Sequence, residues 1–401
     1  MERGAAAVAT ALALAAWPAA WGCSAFEAEA SVDAGAPPAD GGAGADGPDG
    51  TEGSSSDPCA SHIPSGPVAD PAAASCGGRT VNLTNDPFHC GECDRRCPSG
   101  SSCVDAQCQG ELWTSVDGGG IAALSGASGQ EIFFFDETQG LLFAASTETR
   151  QRRGPLTNDG GSYSSARVEG DLAILVGEDR VSTLPIAGGA AEVRVPGSGL
   201  SRARVAVSSA RLLVGRDDDI RVAPRSKGAS TLFVGGLNDV RSVAVTVDDS
   251  EVYWVSGADG SEPGLYRRTG QIQERLLDVP GAYELEVDDA FVYFVDANAR
   301  AIRRVRRGRG AADLEGPVDV ASLPHGDIQG LDFLRLFTVA PPYVYFVRAT
   351  SAGGSFAYLY RVHRCGGAPL LLAGSFVPTG IAVSGDYVYV SSGESVYRTL
   401  R

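Results

Sequence analysis

One apolar strand pattern recurs through the last three quarters of the chain and limits the folds that it can adopt. Its seven copies begin at Ile132, Leu172, Leu212, Val252, Val292, Val344 and Val388. The successive spacings are 40, 40, 40, 40, 52 and 44 residues. A period of this length is typical of β-propeller blades, which contain four antiparallel strands each. Because neighbouring side chains point to opposite faces, an unbroken apolar run predicts a strand buried between two blades.

The segments on either side of each copy complete a blade. Small and branched residues such as those of 243–245 lie upstream and fit an innermost strand that is crowded at the central axis. Turn formers such as Asp248-Asp249 and Asp288-Asp289 follow, and a hairpin explains these pairs without calcium binding or acid–base chemistry. We therefore predict an all-β protein with a seven-bladed β-propeller, since six or eight blades fit the spacing less well.

The number of strands predicts how the propeller closes. The seventh unit ends after its third strand, at residues 395–400, and leaves that blade one strand short. An unassigned strand at residues 112–116 precedes the first unit. Pairing of these two segments would close the ring and remove an exposed sheet edge. On this basis the propeller occupies residues 110–401.

The repeat resembles that of YWTD-type propellers, in which an apolar-Tyr-Trp/Phe strand is followed by an apolar-x-Arg strand. Val252-Tyr253-Trp254 and Leu265-Tyr266-Arg267 are examples of the two patterns. The resemblance covers roughly residues 112–401 and implies a scaffold, not an activity. YWTD propellers usually have six blades, so a count of seven departs from them.

Cysteines are concentrated just before the propeller. Six of them fall within residues 76–108, at Cys76, Cys90, Cys93, Cys97, Cys103 and Cys108. So short a segment needs covalent or metal links in place of a hydrophobic core. The Cys90, Cys93 and Cys97 spacing beside His89 is compatible with zinc, but disulfides are favoured in an exported protein. Six cysteines allow fifteen pairings, and the sequence does not choose among them.

Two further cysteines lie outside this window. Cys59 precedes it, and Cys365 is the one cysteine within the propeller. We hypothesise that Cys59 and Cys365 form a disulfide that clamps a disulfide-rich module, residues 59–109, onto the sixth and seventh blades.

The module resembles the cysteine-rich module of the stigma-specific protein family. The matching residues are Cys76-Gly77-Gly78, Asn85-Asp86-Pro87-Phe88-His89-Cys90-Gly91-Glu92-Cys93, Cys97-Pro98-Ser99-Gly100, Cys103 and Cys108. The chain departs from the family at Thr80, where a cysteine is common. The resemblance implies an extracellular module and does not imply an activity.

The N-terminal residues predict export. An apolar run at residues 5–16 follows Arg3 and is too short to span a bilayer, as expected of a signal peptide. Ala20-Trp21-Gly22-Cys23 resembles the lipobox of bacterial lipoproteins, which implies a signal peptide of residues 1–23 and a lipid on Cys23. Trp21 departs from that motif, because its position usually holds a small residue. The alternative is ordinary cleavage nearby, which would release a freely secreted protein.

Residues 24–58 predict a disordered acidic linker that is rich in Ala, Gly and Pro. No Lys or Arg occurs between Arg3 and Arg79. A segment of this composition cannot bury enough apolar surface to offset its loss of conformational entropy. The whole chain has a formal net charge of -16. This charge argues against binding to nucleic acid or to anionic lipid, so membrane contact is expected through the lipid anchor only.

Three loops on one face of the propeller predict a binding face. They are residues 256–263, residues 311–330 between the fifth and sixth blades, and residues 348–356 within the sixth blade. Functional residues often lie on such loops of a rigid scaffold. The candidate residues are Asp259, His325, Asp327 and Arg348. The alternative explanation is that these loops became longer without gaining a function.

The densest cluster of positive charge is a candidate anion patch. It contains Arg303, Arg304, Arg306, Arg307 and Arg309. A solvated outer strand with its turn is the simpler interpretation, and strand alternation would divide these arginines between two faces.

The sequence favours a binding role over catalysis. The chain contains only four histidines, so a histidine-based metal site is hard to assemble, and we predict no cofactor and no catalytic residue. We expect an exported protein of the outer membrane or cell surface that presents a non-catalytic interaction module to an envelope or extracellular protein or glycan. The alternatives are a propeller-based hydrolase or lyase and a structural surface protein that associates with itself.

Overall fold

The computed structural model of the protein describes residues 58–60, 62, 74–84, 86, 88–97, 103–104, 106–108, 110–115, 122–157, 161–257, 263–323, 337–349, 357–376 and 378–401. The predicted export signal and the linker up to residue 57 lie outside these residues. The described part consists of strands and turns, with a single turn of 3₁₀ helix at Leu200–Arg202. Within it, no helix has the length and apolar character needed to cross a membrane. Residues 56–401 form one compact unit.

Two short hairpins and three disulfides form the cysteine-rich module. Its strands are β1 (Ala74–Cys76), β2 (Arg79–Val81), β3 (Cys103–Val104) and β4 (Gln107–Cys108). Strand β1 pairs with β2, and β3 pairs with β4. The disulfides join Cys76 to Cys93, Cys90 to Cys103, and Cys97 to Cys108. Cys90, Cys103 and Cys108 are buried together, so sulfur atoms occupy the interior that apolar side chains fill in a larger domain.

Seven four-stranded antiparallel sheets follow the module and confirm the predicted seven-bladed propeller. The strands are β5 (Glu111–Ser115), β6 (Ala122–Ser128), β7 (Glu131–Asp136), β8 (Leu141–Ser146), β9 (Arg152–Arg153), β10 (Tyr163–Glu169), β11 (Leu172–Gly177), β12 (Arg180–Pro185), β13 (Glu192–Pro196), β14 (Arg204–Val207), β15 (Arg211–Gly215), β16 (Asp219–Pro224), β17 (Thr231–Gly235), β18 (Val240–Val245), β19 (Glu251–Ser256), β20 (Gly264–Thr269), β21 (Ile272–Leu277), β22 (Ala282–Val287), β23 (Phe291–Asp296), β24 (Ala301–Arg306), β25 (Val318–Ser322), β26 (Phe337–Ala340), β27 (Tyr343–Ala349), β28 (Ala357–His363), β29 (Leu370–Phe376), β30 (Pro378–Ser384), β31 (Tyr387–Ser392) and β32 (Ser395–Leu400). Blades 1 to 6 are β6–β9, β10–β13, β14–β17, β18–β21, β22–β25 and β26–β29, and blade 7 is β30, β31, β32 and β5.

Strand β5 closes the ring, as the number of strands predicts. It pairs antiparallel with β32, with Thr114 opposite Val396. Trp113 is 3% exposed, and its ring meets the ring of Tyr389 edge-on at 5.1 Å between centroids. The strand spans 111–115, so it begins one residue before the predicted 112–116, and Val116 lies outside the described residues. The closure joins the segment before blade 1 to the last strand of the chain.

The second strand of each blade is buried on both faces because it lies between two other blades. Phe134 packs in a cluster shared by blades 7 and 1, whereas Phe133 and Phe135 pack in the cluster shared by blades 1 and 2. Trp254 and Tyr253 divide in the same way between the two sides of blade 4. Each apolar run therefore supplies alternate side chains to two separate inter-blade cores.

The innermost strands approach one another too closely for a side chain at two positions. A Cβ atom on Gly126 would lie 2.5 Å from the carbonyl oxygen of Val168 in the next blade. A Cβ atom on Gly380 would lie 2.9 Å from the backbone nitrogen of Leu124. Both distances are shorter than real Cβ contacts, so glycine is required there. This crowding at the axis explains why the first strands are rich in small residues.

The aspartate pairs form the hairpin turns between first and second strands. The Oδ1 atom of Asp248 accepts a hydrogen bond from the Ser250 hydroxyl at 2.9 Å, and Asp249 has a φ of 67°. The Oδ1 atom of Asp288 accepts from the backbone N–H groups of Ala290 and Phe291 at 2.8 and 2.7 Å. Asp favours such turns because its side chain can bond to nearby backbone groups and it tolerates the left-handed conformation.

Candidate functional site at the junction of the cysteine-rich module and the propeller

The propeller has two faces that carry different loops. The turn face carries the hairpins between first and second strands and between third and fourth strands. The connection face carries the second-to-third hairpins and the connections between blades. Of the residues predicted for a site on the connection face, Asp259, His325 and Asp327 lie outside the described residues. Arg348 is described, and its Nη2 atom donates to the Tyr360 hydroxyl at 3.0 Å.

Part of the insertion predicted between blades 5 and 6 lies on the turn face. Strand β25 lies inside residues 311–330 as the fourth strand of blade 5. Residues 307–317 therefore form a long third-to-fourth hairpin on the turn face. The interpretation of 311–330 as one connection between blades is wrong for this first part. The spacing of the repeats shows that blade 5 has extra residues. It does not show whether they come before or after β25.

The candidate anion patch on β24 makes contacts within the chain. Arg303 forms ion pairs with Asp296 at 3.0 Å and Asp319 at 2.9 Å. Arg304 is 7% exposed, and its Nη1 atom donates to the carbonyl oxygen of Arg364 at 2.7 Å. The two side chains lie on opposite sides of the strand, as alternation predicts. A wholly solvated outer strand is therefore wrong for Arg304, and these guanidinium groups link segments of the fold.

Of the three remaining candidates, Arg306 and Arg307 are partly exposed and Arg309 is exposed. Arg307 forms an ion pair with Glu251 at 3.1 Å, and its Nη1 atom donates to the carbonyl oxygen of Asp288 at 2.6 Å. Arg307 therefore connects blade 5 to blade 4.

An arginine directly after the third strand links neighbouring blades on the turn face. It occurs in blades 3, 5, 6 and 7 as Arg225, Arg307, Arg364 and Arg401. Each guanidinium reaches the preceding blade: their partners are Asp171, Glu251, the Asp288 and Asp289 carboxylates, and the carbonyls of Ala340 and Pro341. The recurring contact was not predicted, although arginine at this position recurs in the sequence.

The link from Arg364 also involves a repeated tyrosine. Its Nη1 atom lies 2.9 Å from Asp288 Oδ2, and the Tyr293 hydroxyl donates to the same oxygen at 2.9 Å. Burial, together with the negative charge of Asp288, raises the pKa of Tyr293. The tyrosine therefore remains a protonated donor. The turn aspartates serve both the hairpin and the contact between blades 5 and 6.

The first residues of the module, around Cys59 and His62, are fixed to the turn face at blade 6. Cys59 and Cys365 form a disulfide with 5.3 Å between Cα atoms, in agreement with the hypothesised pair. The His62 ring stacks on His363 with 3.9 Å between centroids and 10° between planes. His62 Nε2 lies 3.1 Å from the carbonyl oxygen of Gly366. A covalent bond and a ring stack thus hold this segment against the loop that follows β28.

The module itself contacts the outermost strand of blade 6. The Nη2 atom of Arg95 donates to the carbonyl oxygens of Leu371 and Leu372 in β29, the latter at 3.2 Å. A cleft of about 270 Å³ lies beside this contact, between the module and blades 6 and 7. The cleft is lined by Glu92, Cys93, Asp94, Arg95, Arg96, Cys108, Arg361, Leu372, Thr399, Leu400 and Arg401. Sequence reasoning missed it because its lining comes from separate segments with no shared motif.

His363 is held in its neutral form by its surroundings. Burial lowers its pKa, and the nearby charges of His62, Arg364 and Arg304 lower it further. The backbone N–H of Cys365 donates to His363 Nδ1 at 3.2 Å, which requires that nitrogen to be unprotonated. Protonation would therefore weaken the contact next to the Cys59–Cys365 disulfide.

Acidification should destabilise this junction. With a folded pKa below its unfolded value of 6.5, His363 binds fewer protons in the folded state, so its stabilising effect is present above pH 6.5 and is lost as the pH falls. His363→Asn keeps an acceptor near the Nδ1 position but cannot gain a proton. Denaturant unfolding at pH 7.5 and pH 5 should show a smaller loss of stability in His363→Asn than in the wild type. Equal losses in the two proteins would contradict this account.

The described residues contain one cluster of side chains of the kinds that bind metal ions. The sulfur atoms of Cys90, Cys97 and Cys108 lie within 4.8 Å of one another. These cysteines belong to two adjacent disulfides, Cys90–Cys103 and Cys97–Cys108. A thiolate is the form that binds zinc, so sulfurs held in disulfides are unsuited to that role. The arrangement corresponds to the disulfide interpretation of the module.

Comparison with protein families identifies the module. Residues 68–111 match the stigma-specific STIG1-like protein family, which confirms the resemblance of the cysteine pattern. The match covers a small part of the chain and ends at Glu111, the first residue of β5. No curated protein matches the chain.

Solved structures share the propeller fold. The chain is similar to virginiamycin B lyase from Staphylococcus aureus, with 9% identity, a TM-score of 0.54, and coverage of 72% of this chain and 98% of that one. It is also similar to a chain of the mitotic checkpoint complex, with 10% identity, a TM-score of 0.52, and coverage of 72% and 90%. At such identities the likeness shows the fold alone.

Proposed function

We propose that this chain is an exported cell-envelope protein, anchored by a lipid on Cys23, that presents the module and the propeller together as a non-catalytic binding unit. A disulfide-rich module joined to a propeller is an arrangement suited to interaction. The proposed ligand belongs to an extracellular or envelope protein or glycan. The anchor places the protein at the outer membrane or cell surface.

The pairing of the cysteines is the observation that supports this proposal. The chain has nine cysteines, and four disulfides join eight of them among the described residues. Cys23 is the ninth, and none of the described cysteines is left to pair with it. Disulfides persist in oxidising compartments outside the cytosol. A remaining cysteine at the end of an export signal fits attachment of lipid better than a structural bond.

The positions of the three described histidines support binding over hydrolase or lyase chemistry. His62 and His363 stack at the junction with the module. His89 lies within the module, where its Nδ1 atom accepts from the backbone N–H of Asp94 at 2.9 Å. A histidine-based catalytic site in a propeller needs such side chains to converge with carboxylates. The three described histidines are engaged in contacts that hold the module and its junction together.

Replacing Cys23 by serine should abolish lipid attachment. In cells fed labelled palmitate, the wild type should carry the label and sediment with membranes, because thioether-linked lipid anchors the chain. Cys23→Ser should lose the label completely and move to the soluble fraction. The measurement is autoradiography of the purified protein together with mass spectrometry of its N-terminal peptide.

Cys365→Ser is the matched control, since it removes a cysteine that the structure places in a disulfide. This variant should retain the palmitate label. An unlabelled wild type, or a label that persists in Cys23→Ser, would contradict the proposed anchor and favour a freely secreted protein.

A further inference from the structure

Four arginines gather around the cleft between the module and blades 6 and 7. Arg95 and Arg96 come from the module, and Arg361 and Arg401 come from the two blades. The protein as a whole has a formal net charge of -16, yet four guanidinium groups line this one cleft. Glu92 and Asp94 also line the cleft on the module side.

These arginines differ from the others on the turn face in their partners. Arg364 and Arg267 each contact two carboxylates. By contrast, none of the four cleft arginines forms an ion pair with a carboxylate in the part of the chain that the structure describes. Their positive charges are therefore not neutralised by direct contacts.

Aromatic rings and carbonyl groups position the cleft arginines instead. The Cζ atom of Arg361 lies 4.8 Å from the ring centroid of Tyr343, and that of Arg96 lies 5.7 Å from the ring of Phe88. The Nε atom of Arg401 donates to the Tyr345 hydroxyl at 3.0 Å. A guanidinium carries five N–H donors, so these contacts leave donors available.

The surroundings of Arg95 disfavour its positive charge. Burial lowers the pKa of Arg95 to about 10, an effect that Glu92 opposes and the positive charge of Arg361 reinforces. Guanidinium groups are suited to carboxylate, sulfate and phosphate because two parallel N–H groups can bond to two oxygens. A bound anion with several such groups would neutralise the cluster.

We infer that this cleft binds a compact polyanion with at least two carboxylate, sulfate or phosphate groups. A volume of about 270 Å³ lies just below the usual range for small-ligand pockets, so a small molecule or one or two residues of an acidic glycan would fit. Because both the module and the propeller line the cleft, such a ligand contacts the two at once. The inference deepens the proposed binding role and does not depend on the lipid anchor.

Titration of the Cys23→Ser chain with defined anions tests the inference. The probes are citrate, pyrophosphate and a fully sulfated disaccharide, with acetate and a neutral disaccharide as controls. Calorimetry at low salt should give a dissociation constant below about 1 mM for at least one polyanion and no binding for either control. The probe that binds most tightly identifies the chemical class of the ligand: carboxylates, phosphate esters or sulfated glycans.

Arg361→Gln should weaken that binding by about tenfold or more, because it removes a charge-assisted contact. Arg180→Gln is the matched control, since Arg180 lies in blade 2 and pairs with Asp179 at 2.8 Å. It should change the affinity by less than about twofold. Arg96→Gln replaces an exposed side chain and provides a second test if Arg361→Gln does not fold.

Three results would overturn the inference. The first is that none of the three polyanions binds. The second is that Arg180→Gln and Arg361→Gln lose equal affinity, which indicates general charge attraction. The third is that acetate or the neutral disaccharide binds as tightly as the strongest polyanion, which indicates that several negative groups are not required. None of these results affects the lipid-anchor test, so failure of the cleft and failure of the envelope role can be told apart.

Discussion

Replacing Trp113 by alanine should lower the free energy of unfolding by about 3–5 kcal/mol, the usual cost of removing a buried aromatic side chain. Trp113 lies on β5 and packs with Tyr389 and Val396 of blade 7 and with Leu124 and Phe134 of blade 1. The cavity would therefore form at the point where the ring closes. Denaturant unfolding monitored by far-UV circular dichroism measures the loss, because this signal reports the strands and not the tryptophan side chain.

Leu112 provides the control on the same strand. Its side chain is 53% exposed, because it points away from the core that Trp113 enters. Leu112→Ala should change stability by less than about 0.5 kcal/mol, as expected for a surface position. If Trp113→Ala costs no more than Leu112→Ala, β5 does not complete blade 7 as described.

Removing the Cys59–Cys365 disulfide should cost about 2–5 kcal/mol, the range for a native disulfide. The paired cysteines are 306 residues apart, so the bond strongly restricts the unfolded chain. In the folded state it also holds the segment that contains His62. The double variant Cys59→Ser/Cys365→Ser avoids leaving a reactive thiol. Thermal and denaturant unfolding of the oxidised proteins should both show the loss.

Cys76→Ser/Cys93→Ser is the matched control, because the same chemical change removes a bond with a separation of only 17 residues. Chain entropy alone predicts that the longer bond stabilises by about 2.5 kcal/mol more than the shorter one. A loss that is equal in the two double variants would mean that Cys59–Cys365 does not close the long loop of the native protein.

The parts of the fold that follow strand periodicity could be predicted from the sequence. Apolar runs such as 252–255 must be buried on both faces, and their regular spacing determines the number of blades. A blade with three strands needs a fourth, which identified the closing strand near Trp113. Cys365 could be assigned a partner because the other cysteines all lie before the propeller.

The junction could not be predicted, because its geometry depends on segments that are far apart in the chain. Nothing local to His62 or His363 indicates that their rings stack. Arg95 and Arg361 form part of one cleft only after the module has docked on blade 6. The arginines on and just after β24 have the charge of an anion site. However, Arg303 and Arg307 pair with acidic residues, and the local sequence pattern does not reveal these pairs.

Non-reducing peptide mapping of the protein purified from the cell envelope tests most directly whether the module and the propeller form one covalently joined exported unit. The peptide containing Cys59 should be linked to the peptide containing Cys365, and the N-terminal peptide should carry lipid on Cys23. A free thiol at Cys365, with Cys59 joined to a cysteine of the 76–108 window, would contradict the account.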